Sequence, residues 1–258
     1  MRVLMVGDVV GTSGLEALRK HLPKLKAENG VDVCIVNGEN SADGNGITAV
    51  SAESIFASGA DVITTGNHAF RRREAYSYFD DTECLLRPAN FSDHNPGHGY
   101  CILDKGKVRV GIINLIGTMY MDSFDNPFDV VDKILPELSD CKIILVDFHA
   151  ETTSEKRAMG IYLDGRVSAV VGTHTHVPTA DEMILPAGTG YVTDLGMVGP
   201  LDSILGVEPD IVIEKFKYNM PARFDWKRGS CELDAVLFDI DDSTGRATSV
   251  RRILMKEE

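Results

Sequence analysis

The residues with the clearest chemical potential lie in one short stretch, where a single threonine separates two histidines. An apolar run that includes Val170 and Val171 ends at Gly172, and His174 and His176 follow it. In an extended segment, side chains two residues apart fall on the same side of the backbone, so both imidazoles could converge on a pair of nearby metal ions. Neutral imidazole is a ligand for zinc, manganese and iron. The same pattern occurs by chance and in hydrogen-bonded cores, so the rest of the chain decides its role.

Four more groups of metal-binding residues each follow an apolar run that is typical of a buried strand. They are Asp8, Glu39-Asn40, Asn67-His68 and His149. Ligands of open α/β sheets bind at the carboxyl ends of the strands, so five such groups in one chain indicate a shared site. Taken alone, Asp8 is equally consistent with a turn cap, Glu39-Asn40 with an ordinary turn, and His149 with a structural residue.

The elements that position these groups predict the fold class. Short apolar runs alternate with helical patterns through the first two thirds of the chain, which predicts a mainly parallel, doubly wound α/β sheet. The first helix is expected to follow a turn over residues 11–14, to begin at Leu15, and to kink or end at Pro23. Two hairpins are predicted near 186–188 and 242–245. Their antiparallel strands suggest a second sheet packed on the first.

The segment over 71–104 shows no clear period after a short helical stretch and is predicted to be mostly loop. A glycine-rich loop over 41–46 precedes a predicted helix over 49–58. We expect one domain over residues 1–258, with a small loop-rich cap around 71–130 as a further option.

The bulk composition limits the classes of partner. The 258 residues are 43% apolar, which is enough for a substantial core. The net charge of −13 argues against nucleic acid as a partner, because phosphate backbones need clustered basic residues, and the two clusters, Arg71–Arg73 and Arg251-Arg252, are short. Five scattered cysteines without a Cys-x-x-Cys pair predict reduced thiols in a cytoplasmic protein. No apolar stretch approaches the length of a membrane span, so no membrane partner is expected.

The ordered motifs resemble the dinuclear metallophosphoesterases of the calcineurin-like superfamily and, more closely, its YmdB-like bacterial branch. The motifs are Gly7-Asp8, Glu39-Asn40, Gly66-Asn67-His68, His149, Asn126-Pro127-Phe128, Gly172-Thr173-His174-Thr175-His176 and Asp194-Leu195-Gly196-Met197 to Gly199-Pro200. In the wider superfamily an Asp-x-His motif is usual, whereas Val9-Val10 follow Asp8 here, and Glu39 stands where an aspartate is usual. The YmdB-like branch shows the same two changes. The resemblance implies an α/β fold that is a four-layer αββα sandwich of two mixed sheets flanked by helices.

The resemblance also implies ligands for two divalent or trivalent metal ions. The first ion would be held by Asp8, Glu39, Asn40 and His176. The second would be held by Glu39, Asn67, His149 and His174, so that Glu39 bridges the two ions. Iron or manganese is favoured and zinc is an alternative, because the oxygen-rich ligand set leaves the metal open.

Two-metal chemistry leads from these ligands to a reaction. Two cations about 3.5–4 Å apart lower the pKa of a bridging water, and the resulting hydroxide attacks phosphorus in line with the departing alkoxide. The alkoxide needs a proton, and His68, which lies beside Asn67 and is not an implied ligand, is the predicted general acid. Arg71–Arg73 follow this acid closely, and a surface position is favoured over contact with substrate phosphate.

The predicted function is therefore hydrolysis of a small phosphodiester. The branch implies cyclic nucleotides as substrates, with 2′,3′-cyclic forms ahead of 3′,5′-cyclic ones. One alternative is a phosphomonoesterase such as a nucleotidase, and another is a metal-stabilised regulatory protein with little turnover. The formation of a homo-oligomer is left open.

Overall fold

The computed structural model describes residues 1–43 and 45–257, and its strands and helices alternate through most of the chain. The strands are β1 Arg2–Val6, β2 Asp8–Val9, β3 Val33–Asn37, β4 Val62–Thr64, β5 Tyr100–Asp104, β6 Arg109–Ile116, β7 Ile143–His149, β8 Ala169–Thr173, β9 Met183–Ile184, β10 Gly190–Val192, β11 Met197–Pro200, β12 Cys231–Ile240 and β13 Ala247–Lys256. The α-helices are α1 Gly11–Asn29, α2 Ala49–Ala57, α3 Tyr76–Asp81, α4 Pro127–Ile134, α5 Thr153–Tyr162 and α6 Pro209–Tyr218.

The strands form two mixed sheets. The first has the order β2-β11-β12-β1-β3-β4, and β13 pairs with β12 at its side. Within it β1, β3 and β4 are parallel, whereas β12 is antiparallel to β1. The second sheet has the order β5-β6-β7-β8-β10-β9, with four parallel strands in the middle and an antiparallel strand at each edge.

Three apolar clusters join these sheets and helices into four layers. The alternation of side chains along β1 shows how the sequence builds them. Val3 and Met5 are buried between the two sheets, whereas Leu4 packs in the cluster that α1 and α2 cover. On the outer face of the second sheet, residues of α4 and α5 such as Val131 and Met159 complete a third cluster. The expected α/β sandwich of two mixed sheets flanked by helices is confirmed.

The division of strands between the sheets differs from the prediction. Both predicted hairpins form, as β9 with β10 and β12 with β13. The C-terminal hairpin, however, joins β1 in the first sheet instead of forming a separate sheet. The physical reason is that β12 is buried on both faces, with Val236 and Phe238 between the sheets and Ala235 and Leu237 toward the helices. A strand of that kind is a central strand, and the prediction of a separate C-terminal sheet is wrong.

The first helix also differs from the prediction. It begins at Gly11 and continues without interruption through Pro23 to Asn29. The predicted turn over 11–14 is therefore the first helical turn, in which Gly14 packs so closely that a Cβ there would lie 2.3 Å from the Val198 carbonyl oxygen. Pro23 costs one backbone hydrogen bond, but the helix keeps Leu22 and its other buried leucines in the core.

The segment over 71–104 contains a 3-10 turn, Arg73–Ala75, the short helix α3, and a strand, β5, that the sequence pattern does not predict. The range 71–130 thus supplies β5 and β6 to the second sheet. In the glycine-rich loop over 41–46, Gly44 lies outside the described residues. No helix in the described part of the chain combines the length and apolar character that a membrane crossing requires.

Candidate metal centre

The carboxyl ends of parallel strands from both sheets meet at one edge of the sandwich. β1, β3 and β4 of the first sheet and β7 and β8 of the second end there, and each is followed by, or ends in, a predicted site residue. The structure brings all eight of these side chains together: Asp8, Glu39, Asn40, Asn67, His68, His149, His174 and His176. Residues as far apart in the chain as Asp8 and His176 meet in this centre because these five strands all end at the same edge of the sandwich.

Four donor atoms form one group around Glu39. His149 Nε2 lies 3.3 Å from Glu39 Oε2, 3.1 Å from Asn67 Oδ1 and 3.0 Å from His174 Nδ1. Glu39, His149 and His174 each offer a ligand atom within 4.8 Å of the others. These three residues form a possible metal site, and Asn67 adds a fourth oxygen beside it.

A second group of polar atoms lies on the other side of the same carboxylate. Asn40 donates from Nδ2 to Glu39 Oε1 at 2.9 Å, and this Nδ2 lies 3.3 Å from His176 Nε2. His176 Nε2 is also 3.6 Å from Asp8 Oδ1. Asp8 Oδ1 is buried and accepts no hydrogen bond from any described residue. A buried carboxylate oxygen without a donor is costly, and a cation beside it would remove that cost.

The three imidazoles each have one nitrogen fixed from outside and the other turned into the centre. The Thr173 hydroxyl donates to Asp147 at 2.8 Å, so it accepts from His149 Nδ1 at 2.9 Å. His174 Nε2 lies 2.9 Å from Glu151 Oε2, and His176 Nδ1 lies 3.3 Å from the Leu205 carbonyl oxygen. In its neutral form, each imidazole then presents the lone pair of its inner nitrogen to the centre, which is the arrangement that metal-binding histidines adopt.

The charges of the centre favour a cation. Burial raises the pKa of Glu39, but His149 and His68 more than offset this and hold the pKa well below its ordinary value. Burial lowers the pKa of His149, but Glu39 and then Asp8 outweigh it and raise that pKa to about 9. Burial and then the charge on His149 lower the pKa of His174 to about 4. The two carboxylates thus favour one positive charge on the facing nitrogens of His149 and His174, which is a proton when no metal is bound. A metal ion would supply the positive charge in place of that proton.

The backbone around the two late histidines does not have the extended geometry that their spacing suggests. Strand β8 ends at Thr173, and both His174 and His176 have positive φ angles, +100° and +60°. Such angles are strained for residues with a Cβ and occur at functional sites. The two side chains consequently diverge, His174 toward His149 and Glu151 and His176 toward the pair formed by Asp8 and Asn40. The prediction that an extended segment places them side by side is wrong.

Comparison with known proteins decides the family. A family model described as YmdB-like protein matches residues 4–253. The chain belongs to the YmdB-like family. A 2′,3′-cyclic-nucleotide 2′-phosphodiesterase of Bacillus subtilis (strain 168) is 45% identical to it over 259 residues, which cover 100% of this chain and 98% of that protein. The resemblance inferred from the sequence motifs is confirmed.

One solved structure supports the same assignment, and a second one shares the fold. The structure of a novel phosphatase from Mycoplasma pneumoniae has a TM-score of 0.95 and 34% identity, and the match covers 100% of this chain and 94% of that one. A putative 5′-nucleotidase from Staphylococcus aureus has a TM-score of 0.62 at 14% identity, with 100% of this chain and 55% of that one covered. That second likeness shows a shared fold and carries no further meaning.

The position two residues after Asp8 has a clear structural setting in this YmdB-like chain. It is occupied by Val10 instead of a histidine, and the Val10 side chain is buried. It packs beside Gly206, where an added Cβ would lie 2.4 Å from Val10 Cγ1. Position 10 therefore contributes to packing, while Asn40 lies beside His176 and Glu39.

Sequence reasoning missed the residues behind the predicted site residues of this YmdB-like centre. Asp147 is buried within β7 and accepts from Thr64, Thr173 and Asn37. Burial raises the pKa of Asp147 to about 6, although Thr64, His149 and Thr173 oppose the rise. A signal was available, since an aspartate two residues before His149 in an apolar strand lies on the same face as that histidine.

The sequence predicts only a surface position for Arg72, whereas the structure shows that it contacts a loop next to the centre. Its guanidinium donates to the backbone carbonyl oxygens of Asp43 and Asn45. Both carbonyls belong to the loop that follows Asn40. Arg72 therefore holds this loop against the segment that carries His68.

Gly66 provides a test of how tightly the donor groups are packed. A Cβ at this position would lie 2.1 Å from His149 Cδ2 and 2.4 Å from Glu39 Oε2. We expect Gly66→Ala to displace these side chains, to reduce metal uptake, and to lower activity about a hundredfold, the scale for a misplacement of about 1 Å. Metal content and kcat/KM on a diester check this prediction. Gly111→Ala is the matched control, because its Cβ would approach only the Leu138 side chain, at 2.9 Å. Equal losses in both variants would contradict the packing argument.

Proposed function

We propose that this YmdB-like protein is a metal-dependent phosphodiesterase that hydrolyses cyclic nucleotides, with 2′,3′-cyclic forms favoured over 3′,5′-cyclic ones. The observation that carries the proposal is the pair of donor groups on opposite oxygens of the buried Glu39 carboxylate. The name and the 45% identity of the Bacillus subtilis relative support the substrate class. Iron or manganese is the proposed metal, with zinc as the alternative.

The proposed ligands follow the two groups. Asp8, Glu39, Asn40 and His176 would hold one ion, and Glu39, Asn67, His149 and His174 would hold the other. When bound, the two ions would supply an activated water and positive charge for the phosphoryl oxygens. Asn40 would ligate through Oδ1, and this requires its amide to turn by 180° from the orientation in which Nδ2 faces Glu39.

His68 is the proposed general acid for the leaving alkoxide. Its side chain is 24% exposed at the rim of the centre, and its Nδ1 lies 2.7 Å from Asn40 Oδ1 and 3.2 Å from Glu39 Oε1. Its backbone N–H donates to Glu39 Oε2 at 3.1 Å. As an acid, His68 would act in its cationic form, in which Nδ1–H donates to Glu39 Oε1. The second proton, on Nε2, is then free to transfer to a substrate oxygen, and a neutral imidazole remains.

One experiment tests the proposed function. Protein purified without chelator should contain about two metal ions per chain and should hydrolyse 2′,3′-cyclic AMP faster than 3′,5′-cyclic AMP and faster than p-nitrophenyl phosphate. Removing the metal with a chelator should abolish turnover, and adding Mn²⁺ should restore it. Turnover that survives complete metal removal, or faster hydrolysis of the monoester than of both diesters, would overturn the proposal. The second result would favour a phosphomonoesterase, and the absence of any turnover with two ions bound would favour a regulatory protein.

A further inference from the structure

A buried ion pair lies directly behind the turn that carries His174 and His176. Lys156 of α5 donates from Nζ to Asp194 Oδ2 at 2.6 Å, and the side chains of the two residues are 1% and 0% exposed. A lysine is rarely buried to this degree unless it is paired. Breaking such a pair by removing one partner leaves an uncompensated buried charge. A buried pair at this position therefore indicates a role that a solvated surface ion pair would not have.

The Asp194 carboxylate holds the middle residue of the histidine turn. Its Oδ2 accepts from the Thr175 backbone N–H at 3.2 Å and from the Thr175 hydroxyl at 2.7 Å. Thr175 lies between the two histidines with positive φ angles. Two hydrogen bonds to one buried anion thus fix the residue on which the strained turn is centred.

The same carboxylate is linked to the strand that carries Asp8. Asp194 Oδ1 accepts from the Gly196 backbone N–H at 2.9 Å, and the Gly196 carbonyl oxygen accepts from the Asp8 backbone N–H at 3.1 Å. The His174 backbone N–H in turn donates to Asp8 Oδ2 at 3.2 Å. One buried group therefore connects the histidine turn with the start of β2.

The sequence leaves room for the lysine to reach this position. A Cβ at Gly172 would lie 2.7 Å from Lys156 Cδ and 1.9 Å from the Thr193 carbonyl oxygen. The stem of Lys156 thus passes over Gly172, two residues before His174. Position 172, the first of the Gly-Thr-His-Thr-His motif, therefore has no space for a side chain, because Lys156 and the Thr193 carbonyl oxygen both lie against it.

We propose that Lys156 and Asp194 are positioning residues that hold Thr175, and through it keep His174 and His176 directed at separate donor groups. Lys156 compensates the charge of the buried Asp194 carboxylate, which accepts all of these hydrogen bonds. The inference rests on the proposed function, because the two groups are taken as ligands of two ions. It adds three residues to the centre, none of which touches a metal or a substrate.

Thr175 offers the mildest test, since its hydroxyl can be removed without changing the size of the side chain. Thr175→Val deletes the bond to Asp194, and Thr175→Ser restores a hydroxyl. Thr189→Val is the matched control: its buried hydroxyl donates to the Val167 carbonyl oxygen at 2.7 Å, at the start of β10. For each full-length variant, Mn²⁺ affinity is measured by titration of chelator-stripped protein. The melting temperature and the imidazole C–H NMR signals are recorded without metal.

We expect Thr175→Val to bind Mn²⁺ about 10–100-fold more weakly, the usual effect of losing a partner behind a metal ligand. Thr175→Ser should recover most of this affinity. Thr189→Val should lower the melting temperature and leave the affinity unchanged. In metal-free Thr175→Val, the signals of His174 and His176 should shift, because the turn is no longer held. Lys156→Met should act in the same direction, and Thr175→Val keeps the test decisive if Lys156→Met does not fold.

Wild-type Mn²⁺ affinity and unshifted histidine signals in Thr175→Val would overturn the inference. A loss of affinity no larger than in Thr189→Val would do the same, since it would mean that the ion pair acts only on stability. The failure of the proposed function has a different signature. In that case the wild-type protein itself would bind no Mn²⁺, while the histidine signals of the metal-free variants would still show whether the turn is held.

Discussion

Glu39→Gln should lower kcat/KM on 2′,3′-cyclic AMP by about a thousandfold or more. Metal ions stabilise such a transition state by several kcal/mol, and a loss of this size has that effect on the rate. Glu39 is fully buried, and its two oxygens face different donor groups, Oε1 toward Asn40 and Oε2 toward His149. Glutamine keeps the volume but replaces one anionic oxygen with an N–H donor, which cannot ligate a metal. The loss should therefore affect both ions at once.

Metal content and thermal unfolding separate this loss from misfolding. A ligand that binds only the folded state raises the melting temperature, so Mn²⁺ should raise the melting temperature of the wild-type protein and have little effect on Glu39→Gln. Glu137→Gln makes the same chemical change at an exposed position and should behave as wild type. Two ions bound to Glu39→Gln with wild-type affinity would show that Glu39 does not bridge them.

The positions of the site residues could be predicted because of a simple feature of parallel sheets. Val3–Val6 and Ile143–Val146 are recognisable as buried strands from local composition, and the carboxyl ends of such strands meet at one edge whatever the strand order. The order itself was not predictable. β12 inserts beside β1 through contacts between residues more than two hundred positions apart, and no local pattern encodes that pairing. For this reason the site could be predicted better than the topology that builds it.

The residues that support the proposed ligands were harder to find from the sequence than the proposed ligands themselves. Lys156 lies on a helix, where a lysine is ordinarily exposed, and only the three-dimensional packing shows that it points inward at Asp194. The φ angles of His174 and His176 depend on the same tertiary contacts. The spacing predicted that both histidines could bind metal ions, but it also predicted an extended segment. The turn that separates them is fixed by groups from α5 and from the segment after β10.

His68→Ala should lower turnover of 2′,3′-cyclic AMP by about 10²–10⁴-fold, the usual contribution of a general acid. The leaving group of this substrate is an alkoxide, which needs a proton as it departs. The leaving group of bis-p-nitrophenyl phosphate is a stabilised phenolate, and it departs without one. The variant should therefore lose far less activity on the nitrophenyl ester, provided that its metal content is unchanged.

The ratio of the two activities is decisive because His68 also contacts the proposed ligands. Its Nδ1 lies within hydrogen-bonding distance of Asn40 Oδ1, and its backbone N–H donates to Glu39. If His68 only positions these residues, His68→Ala should slow both substrates by the same factor and weaken Mn²⁺ binding. If it donates a proton, the loss is confined to the alkoxide leaving group and Mn²⁺ binding persists. His94→Ala, which removes an exposed imidazole from the segment that precedes β5, should change neither rate. An equal loss on both substrates in His68→Ala alone would therefore assign His68 to positioning.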